Sequence, residues 1–135
     1  MSKIFPSDKI YVDTSKITGA GRGVFAKCDI KKGEIIERCP IIKVSKNDTA
    51  NLNESILVTY FFYYGEDKDR LAVALGCGSI YNHSGKPNAA YKLKPDEEII
   101  EFEALNNIEK DAEITFNYYN SADEGDMKNP LWFEV

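Results

Sequence analysis

The stretch Gly78–Tyr91, GSIYNHSGKPNAAY, holds the chain's single histidine, His83, among Asn82, Ser84 and Asn88. Apolar, strand-type sequence flanks it on both sides. A polar surface turn is the plainest reading of such a stretch. His83 admits three chemical roles. Metal ligation needs more than one histidine without neighbouring cysteines or clustered carboxylates. A Ser–His–Asp arrangement lacks the GxSxG elbow that exposes a nucleophile. The third role is a histidine held by its own hydrogen bonds, either structural or orienting a ligand.

Outward from this stretch the chain reads as strands. Lys9–Val12, Gly23–Ala26, Glu34–Val44, Ile56–Tyr64, Leu71–Leu75, Ala89–Leu93 and Ile99–Leu105 are short and rich in Val, Ile, Tyr or Phe, with Gly, Asp, Asn or Pro between them. From Ile100 to Leu105 apolar and polar residues alternate, as in a half-buried antiparallel strand. Tyr64–Lys68 and Lys94–Glu97 read as hairpin loops. Helical periodicity is poor, and Asn47–Glu54 is the best candidate for one or two helical turns. Ile30–Ile35 and Ile108–Ile114 echo each other as tight turns that launch strands, with Gly33 and Asp111 at the places of positive φ.

At 135 residues the chain is long enough for one domain with a core that needs no disulfide or metal. The three cysteines, Cys28, Cys39 and Cys77, form no CxxC pair and read as reduced, mostly buried thiols. No apolar run approaches a membrane span and the N-terminus lacks the apolar segment of a signal peptide, so a cytoplasmic, intracellular protein is expected. Action inside a host cell after export is compatible with the same features. A net charge of −5 argues against direct nucleic-acid binding through phosphates and suits a cationic partner.

Gly19–Ala20–Gly21–Arg22–Gly23 superficially resembles a dinucleotide fingerprint, but β-type Val24–Phe25–Ala26 follows where a helix is required. The glycines are then a plain flexible loop or a backbone that approaches a ligand closely. Tyr60–Tyr64 is an aromatic run; as a strand it places Tyr60, Phe62 and Tyr64 on one face and Phe61 and Tyr63 on the other. Further aromatics fall at Tyr118–Tyr119 and Trp132–Phe133.

Read in order, Gly21–Arg22–Gly23–Val24–Phe25–Ala26, then Tyr81–Asn82–His83–Ser84 with Pro87–Asn88, then Glu113–Ile114–Thr115–Phe116–Asn117–Tyr118 closely resemble the SET-domain protein lysine methyltransferases. The resemblance runs from about Lys9 to the C-terminus and is to the small stand-alone kind of bacteria and viruses. It implies a mostly β, SET-domain (β-clip-like) fold of small antiparallel sheets with a C-terminal pseudoknot. The polar Asn82–Ser84 segment would thread against the loop holding Phe116–Tyr118 and be buried there. The chain would be a single SET domain over residues 1–135, with a core at about 9–120 and a short C-terminal lid at 121–135.

The resemblance also implies roles. S-adenosylmethionine would be the cofactor, met by Gly21, Arg22, Gly23, Asn82, His83 and Tyr118, with Trp132 of the lid against the adenine. Tyr118 matches the catalytic tyrosine, and Tyr60, Tyr91 and Phe116 would wall the substrate-lysine channel. Phe116, two before Tyr118, goes in the family with di- or trimethylation, whereas a hydroxyl at the position of Tyr91 pulls the other way. No metal site is implied. Asn117 replaces the usual Asp before the tyrosine, no cysteine cluster of a zinc-binding post-SET segment follows, and the Val44–Tyr60 insert is short.

The expected activity is methyl transfer to a lysine amine of a basic protein or peptide (histone-like, ribosomal or nucleoid), which acids such as Asp123, Glu124 and Asp126 would attract. A homodimer would complete the peptide groove of so small a domain. The rival reading is a catalytically inactive SET-fold binding module that holds the cofactor or a cationic side chain.

Overall fold

The computed structural model describes residues 3–64, 70–118 and 127–128, without the side chains of 58, 59, 127 and 128. The expected lid residue Trp132, Tyr119, the acidic Asp123, Glu124 and Asp126, and most of the expected loop after Tyr64 lie outside the described residues.

The fold is mostly β, built from small antiparallel sheets. In one sheet, β1 (Ile10–Thr14) pairs with β2 (Arg22–Ala26), β2 with β9 (Glu113–Phe116), and β9 with the two-residue β6 (Asn82–His83). The other sheet runs β10 (Met127–Lys128), β4 (Phe61–Tyr64), β5 (Arg70–Ala74), β3 (Ile35–Val44), β8 (Ile99–Ala104) and β7 (Ala89–Lys94). Among the described pairings, β6 with β9 is parallel, with Asn82 opposite Thr115 and His83 opposite Phe116. Parallel neighbours cannot be joined by a tight hairpin. Here the connection is the long excursion through β7 and β8.

β3 serves two partners because it is long. Its first part, up to Pro40, pairs with β8, and Ile41–Val44 pairs with β5. The hairpin expected at Lys94–Glu97 forms through a short 3-10 turn, Pro95–Glu97, that ends on Glu98 at φ 57°. The two echoing turns meet each other: Ile30 and Ile108 exchange backbone hydrogen bonds of 2.8 and 2.7 Å. Gly33 and Asp111 both take positive φ, at 89° and 70°.

Three expectations need correction or refinement. Ile56–Tyr64 is not one strand: Ile56–Tyr60 is a 3-10 turn, started where Ser55 Oγ accepts the Leu57 N–H at 3.2 Å, and the strand begins at Phe61. Tyr60 therefore does not share a strand face with Phe62 and Tyr64, which enter the core. The helix α1 covers Lys46–Asn53, one residue earlier at each end than expected, and buries none of its residues. Of the three free cysteines only Cys39 is buried; Cys77 is half-buried and Cys28 exposed. Burial and the nearby Glu37 carboxylate push the Cys39 thiol far above its usual pKa, so it is not a nucleophile.

The core is aromatic. Phe116 packs against Tyr118 (ring centroids 5.1 Å), Tyr91 (5.3 Å), Phe102 (5.4 Å) and Phe62 (6.1 Å), while Tyr81 stacks on Phe102 at 4.3 Å. Burying one such ring stabilises by roughly 1.5–3 kcal/mol. These rings arrive from β4, β7, β8, β9 and the approach to β6, so the cluster fastens the two sheets together. Among the described residues no helix is long and apolar enough to cross a membrane.

Candidate active site

Asn82, which is buried, and Asn88, which is half-buried, fasten the polar stretch to β9. Asn88 behaves like a neighbouring strand: its Nδ2 donates to the Glu113 carbonyl and its Oδ1 accepts the Thr115 N–H, both at 2.9 Å. Asn82 Nδ2 donates to the Arg22 carbonyl at 2.9 Å and to Glu113 Oε2 at 3.0 Å. The Ser84 N–H continues the pairing onto the Phe116 carbonyl at 3.1 Å. Both side-chain amides thus have partners, which avoids a cost of about 1–3 kcal/mol for a buried group left unsatisfied.

This pairing opens a cavity of about 230 Å³ lined by Ala20, Gly21, Arg22, Tyr60, Ser79, Ile80, Asn82 and Tyr118. Gly21, Arg22, Asn82, Tyr118 and Tyr60, all singled out from the sequence, share this one lining. Gly23 does not line it. Its role is close approach, because a Cβ there would collide with the Glu113 carboxylate and crowd Asn82. His83 also sits behind the lining: its Nδ1 accepts the Tyr118 N–H at 3.0 Å. Tyr91 and Phe116 are fully buried beneath Tyr118 and are not among the described lining residues.

Tyr118 is 2% exposed and its hydroxyl donates to the Tyr81 carbonyl at 2.8 Å. Burial, with smaller effects of Tyr60 and Glu113, pushes its pKa well above the usual tyrosine value, so it stays a neutral phenol. Tyr81 is anchored in turn: its own hydroxyl donates to the buried Glu37 carboxylate at 2.9 Å, and Glu37 also accepts the Cys77 N–H at 3.0 Å. Burial lowers the pKa of His83 below its ordinary value.

Sequence reasoning left Ala20, Ser79, Ile80, Glu37 and the Tyr81 carbonyl without a role. Glu113 was visible only as the first letter of a motif. Nothing local in the sequence marks these positions, since each acts through a segment far away along the chain.

Known proteins share the family and the fold of this chain. The SET domain family matches residues 21–119. A histone-lysine N-methyltransferase of Schizosaccharomyces pombe, H3 lysine-37 specific, is 33% identical over 115 residues, 84% of this chain and 71% of the relative. A solved candidate histone methyltransferase of Plasmodium falciparum superposes with a TM-score of 0.62 at 38% identity, over 84% of this chain and 96% of that one. The polycomb repressive complex 2 of Chaetomium thermophilum, solved bound to S-adenosylmethionine, superposes with a TM-score of 0.65 at 23% identity. That match spans 84% of this chain but 15% of the other, and is a likeness of fold.

Proposed function

The chain belongs to the SET-domain family, and from that membership we propose that it is a protein-lysine N-methyltransferase that uses S-adenosylmethionine. The observation that carries this reading is the single cavity in which Gly21, Arg22, Asn82 and Tyr118 come together from three separate parts of the chain. The lining suits that cofactor chemically. Arg22 offers a guanidinium to a carboxylate, and the ring faces of Tyr60 and Tyr118 attract a cationic centre.

When bound, S-adenosylmethionine supplies an electrophilic methyl group on a sulfonium. The chain's own contribution is alignment and desolvation. His83 holds the Tyr118 backbone and the Tyr81 carbonyl accepts a hydrogen bond from the Tyr118 hydroxyl, so the phenol oxygen is aimed before a substrate arrives. Its lone pairs are then able to accept weak C–H···O contacts from a methyl group. As a neutral phenol Tyr118 is not a general base. A lysine ammonium entering beside Tyr60 and Tyr118, toward Tyr91 and Phe116, would lose water; its pKa falls and the proton leaves to solvent, freeing the amine that attacks.

The substrate class is a basic protein segment, in keeping with the net charge of −5 and with the histone specificity in the name of the yeast relative. Phe116, an apolar ring against Tyr91 and Tyr118, supports di- or trimethylation. The test is transfer of a labelled methyl group from S-adenosylmethionine to lysine-rich proteins, with Tyr118→Phe as control. Label on lysine that disappears in the variant supports the proposal. Cofactor binding with no transfer to any protein would make the chain a binding module instead.

A further inference from the structure

Glu113 begins β9, and its carboxylate gathers the groups that shape the glycine loop. Oε1 and Oε2 accept from Ser15 Oγ at 3.0 and 2.8 Å, Oε1 from the Lys16 N–H at 3.0 Å, and Oε2 from Asn82 Nδ2 at 3.0 Å. Ser15 in turn donates its own N–H to the Gly21 carbonyl at 2.8 Å, and Asn82 Nδ2 also reaches the Arg22 carbonyl. The segment from Ser15 to Arg22 is therefore closed on itself and strapped to β6 through one carboxylate. Gly21, Arg22 and Asn82 line the cavity, whereas Glu113 is not among the described lining residues.

The same carboxylate settles which way the Asn82 amide points. Both groups behind it, the Arg22 carbonyl and Glu113, can only accept, so the NH2 faces them and Oδ1 lies on the other side. An amide flip would set the single Oδ1 against both acceptor oxygens. Hydrogen bonds to a carboxylate are shorter and stronger than neutral ones, which suits a part that must hold a loop still.

We propose that Glu113 is a positioning residue for the cofactor cavity, fixing the Ser15–Arg22 loop and the Asn82 amide and thereby setting the affinity for S-adenosylmethionine. The proposal rests on the reading of this cavity as the cofactor site. It assigns Glu113 no contact with the transferred methyl group. Ordering the loop before binding removes an entropic cost that would otherwise fall on affinity.

Glu113→Gln cannot accept on both arms, because its NH2 must oppose either the Ser15 and Lys16 donors or the Asn82 amide. Calorimetric titration of the full chain with S-adenosylhomocysteine should show Kd raised roughly tenfold in this variant. The KM for S-adenosylmethionine should rise with kcat at saturation retained, and amide hydrogen exchange at Lys16 should quicken in the ligand-free protein. Ser15→Ala keeps the negative charge and removes the hydroxyl, and should raise Kd about threefold. Unchanged Kd in Glu113→Gln overturns the proposal. So does a rise there with none in Ser15→Ala, since charge alone would then explain it. Should Glu113→Gln fail to fold, Ser15→Ala decides on the same readouts. If the unsubstituted chain binds neither S-adenosylmethionine nor S-adenosylhomocysteine, the functional reading itself falls and carries this proposal with it.

Discussion

His83 Nδ1 accepts the backbone N–H of Tyr118 at 3.0 Å, and the two rings meet edge to face at 5.2 Å. The ring nitrogen must be unprotonated to accept. Burial holds the His83 pKa below its ordinary 6.5, so as pH falls the unfolded chain takes up the proton first. The contribution of His83 to stability is thus complete above about pH 6.5 and is lost as pH drops through the lowered folded value. Because His83 is the chain's single histidine, no second imidazole titrates in that window. Urea unfolding from about pH 8 down to about pH 5 should show this loss. His83→Asn, whose Oδ1 is a non-titrating acceptor, should be flatter over the same range; equal slopes would contradict the assignment.

Tyr118→Phe removes the hydroxyl and leaves the buried Tyr81 carbonyl without that donor. Stability should fall by about 1–3 kcal/mol. If the hydroxyl aligns the reaction, kcat should fall by more than about tenfold, with the KM for cofactor changed much less. Steady-state kinetics beside thermal unfolding separate the two effects. A variant with full kcat would remove Tyr118 from the chemistry.

Gly23→Ala introduces a methyl group where the Glu113 carboxylate and the Asn82 amide already sit. The overlap should cost about 1–3 kcal/mol, measured by denaturant unfolding. A neutral substitution would mean that this strand and Glu113 are less closely packed than their geometry requires.

Asn88→Ala deletes the side chain that satisfies the Glu113 carbonyl and the Thr115 N–H. Two peptide groups lose their partners together, so destabilisation should reach about 2 kcal/mol or more. Hydrogen exchange at Thr115 should quicken more than at Val24, which lies on β2, the strand on the other side of β9. Uniform exchange changes would argue against this local role.

Phe116→Tyr adds a hydroxyl to a fully buried ring that touches Tyr91 and Tyr118. Products should shift toward monomethyl-lysine, read by mass spectrometry of the methylated protein. Unchanged product ratios would detach Phe116 from control of product number.

Much of the strand content was legible locally. The run Ile99–Ala104 is a strand as its β-type residues imply, but it is buried on both faces, with Glu101 paired to Arg38 and Lys94, not half-buried. The positive φ at Gly33 and Asp111 follows from the residues there. The Ile56–Tyr60 turn was not legible, because β-branched and aromatic residues outweighed one capping serine in the reading. β6 was equally hidden as a strand: Asn82–His83 has no apolar alternation and pairs because Thr115 and Phe116 lie beside it.

The sequence by itself determined the chemistry available: a glycine loop, two asparagines around a lone histidine, and a tyrosine closing an aromatic motif, in an order shared with one family. Tertiary structure alone decided how they serve one cavity. It set Asn82 against Arg22 and Glu113, turned His83 into the grip on the Tyr118 backbone, and placed Tyr60 on a turn beside Tyr118. The physical reason is that a parallel pairing such as β6 with β9 depends on two segments far apart along the chain. Neither segment carries a local signal of its partner until the aromatic core between the sheets fixes their distance and register.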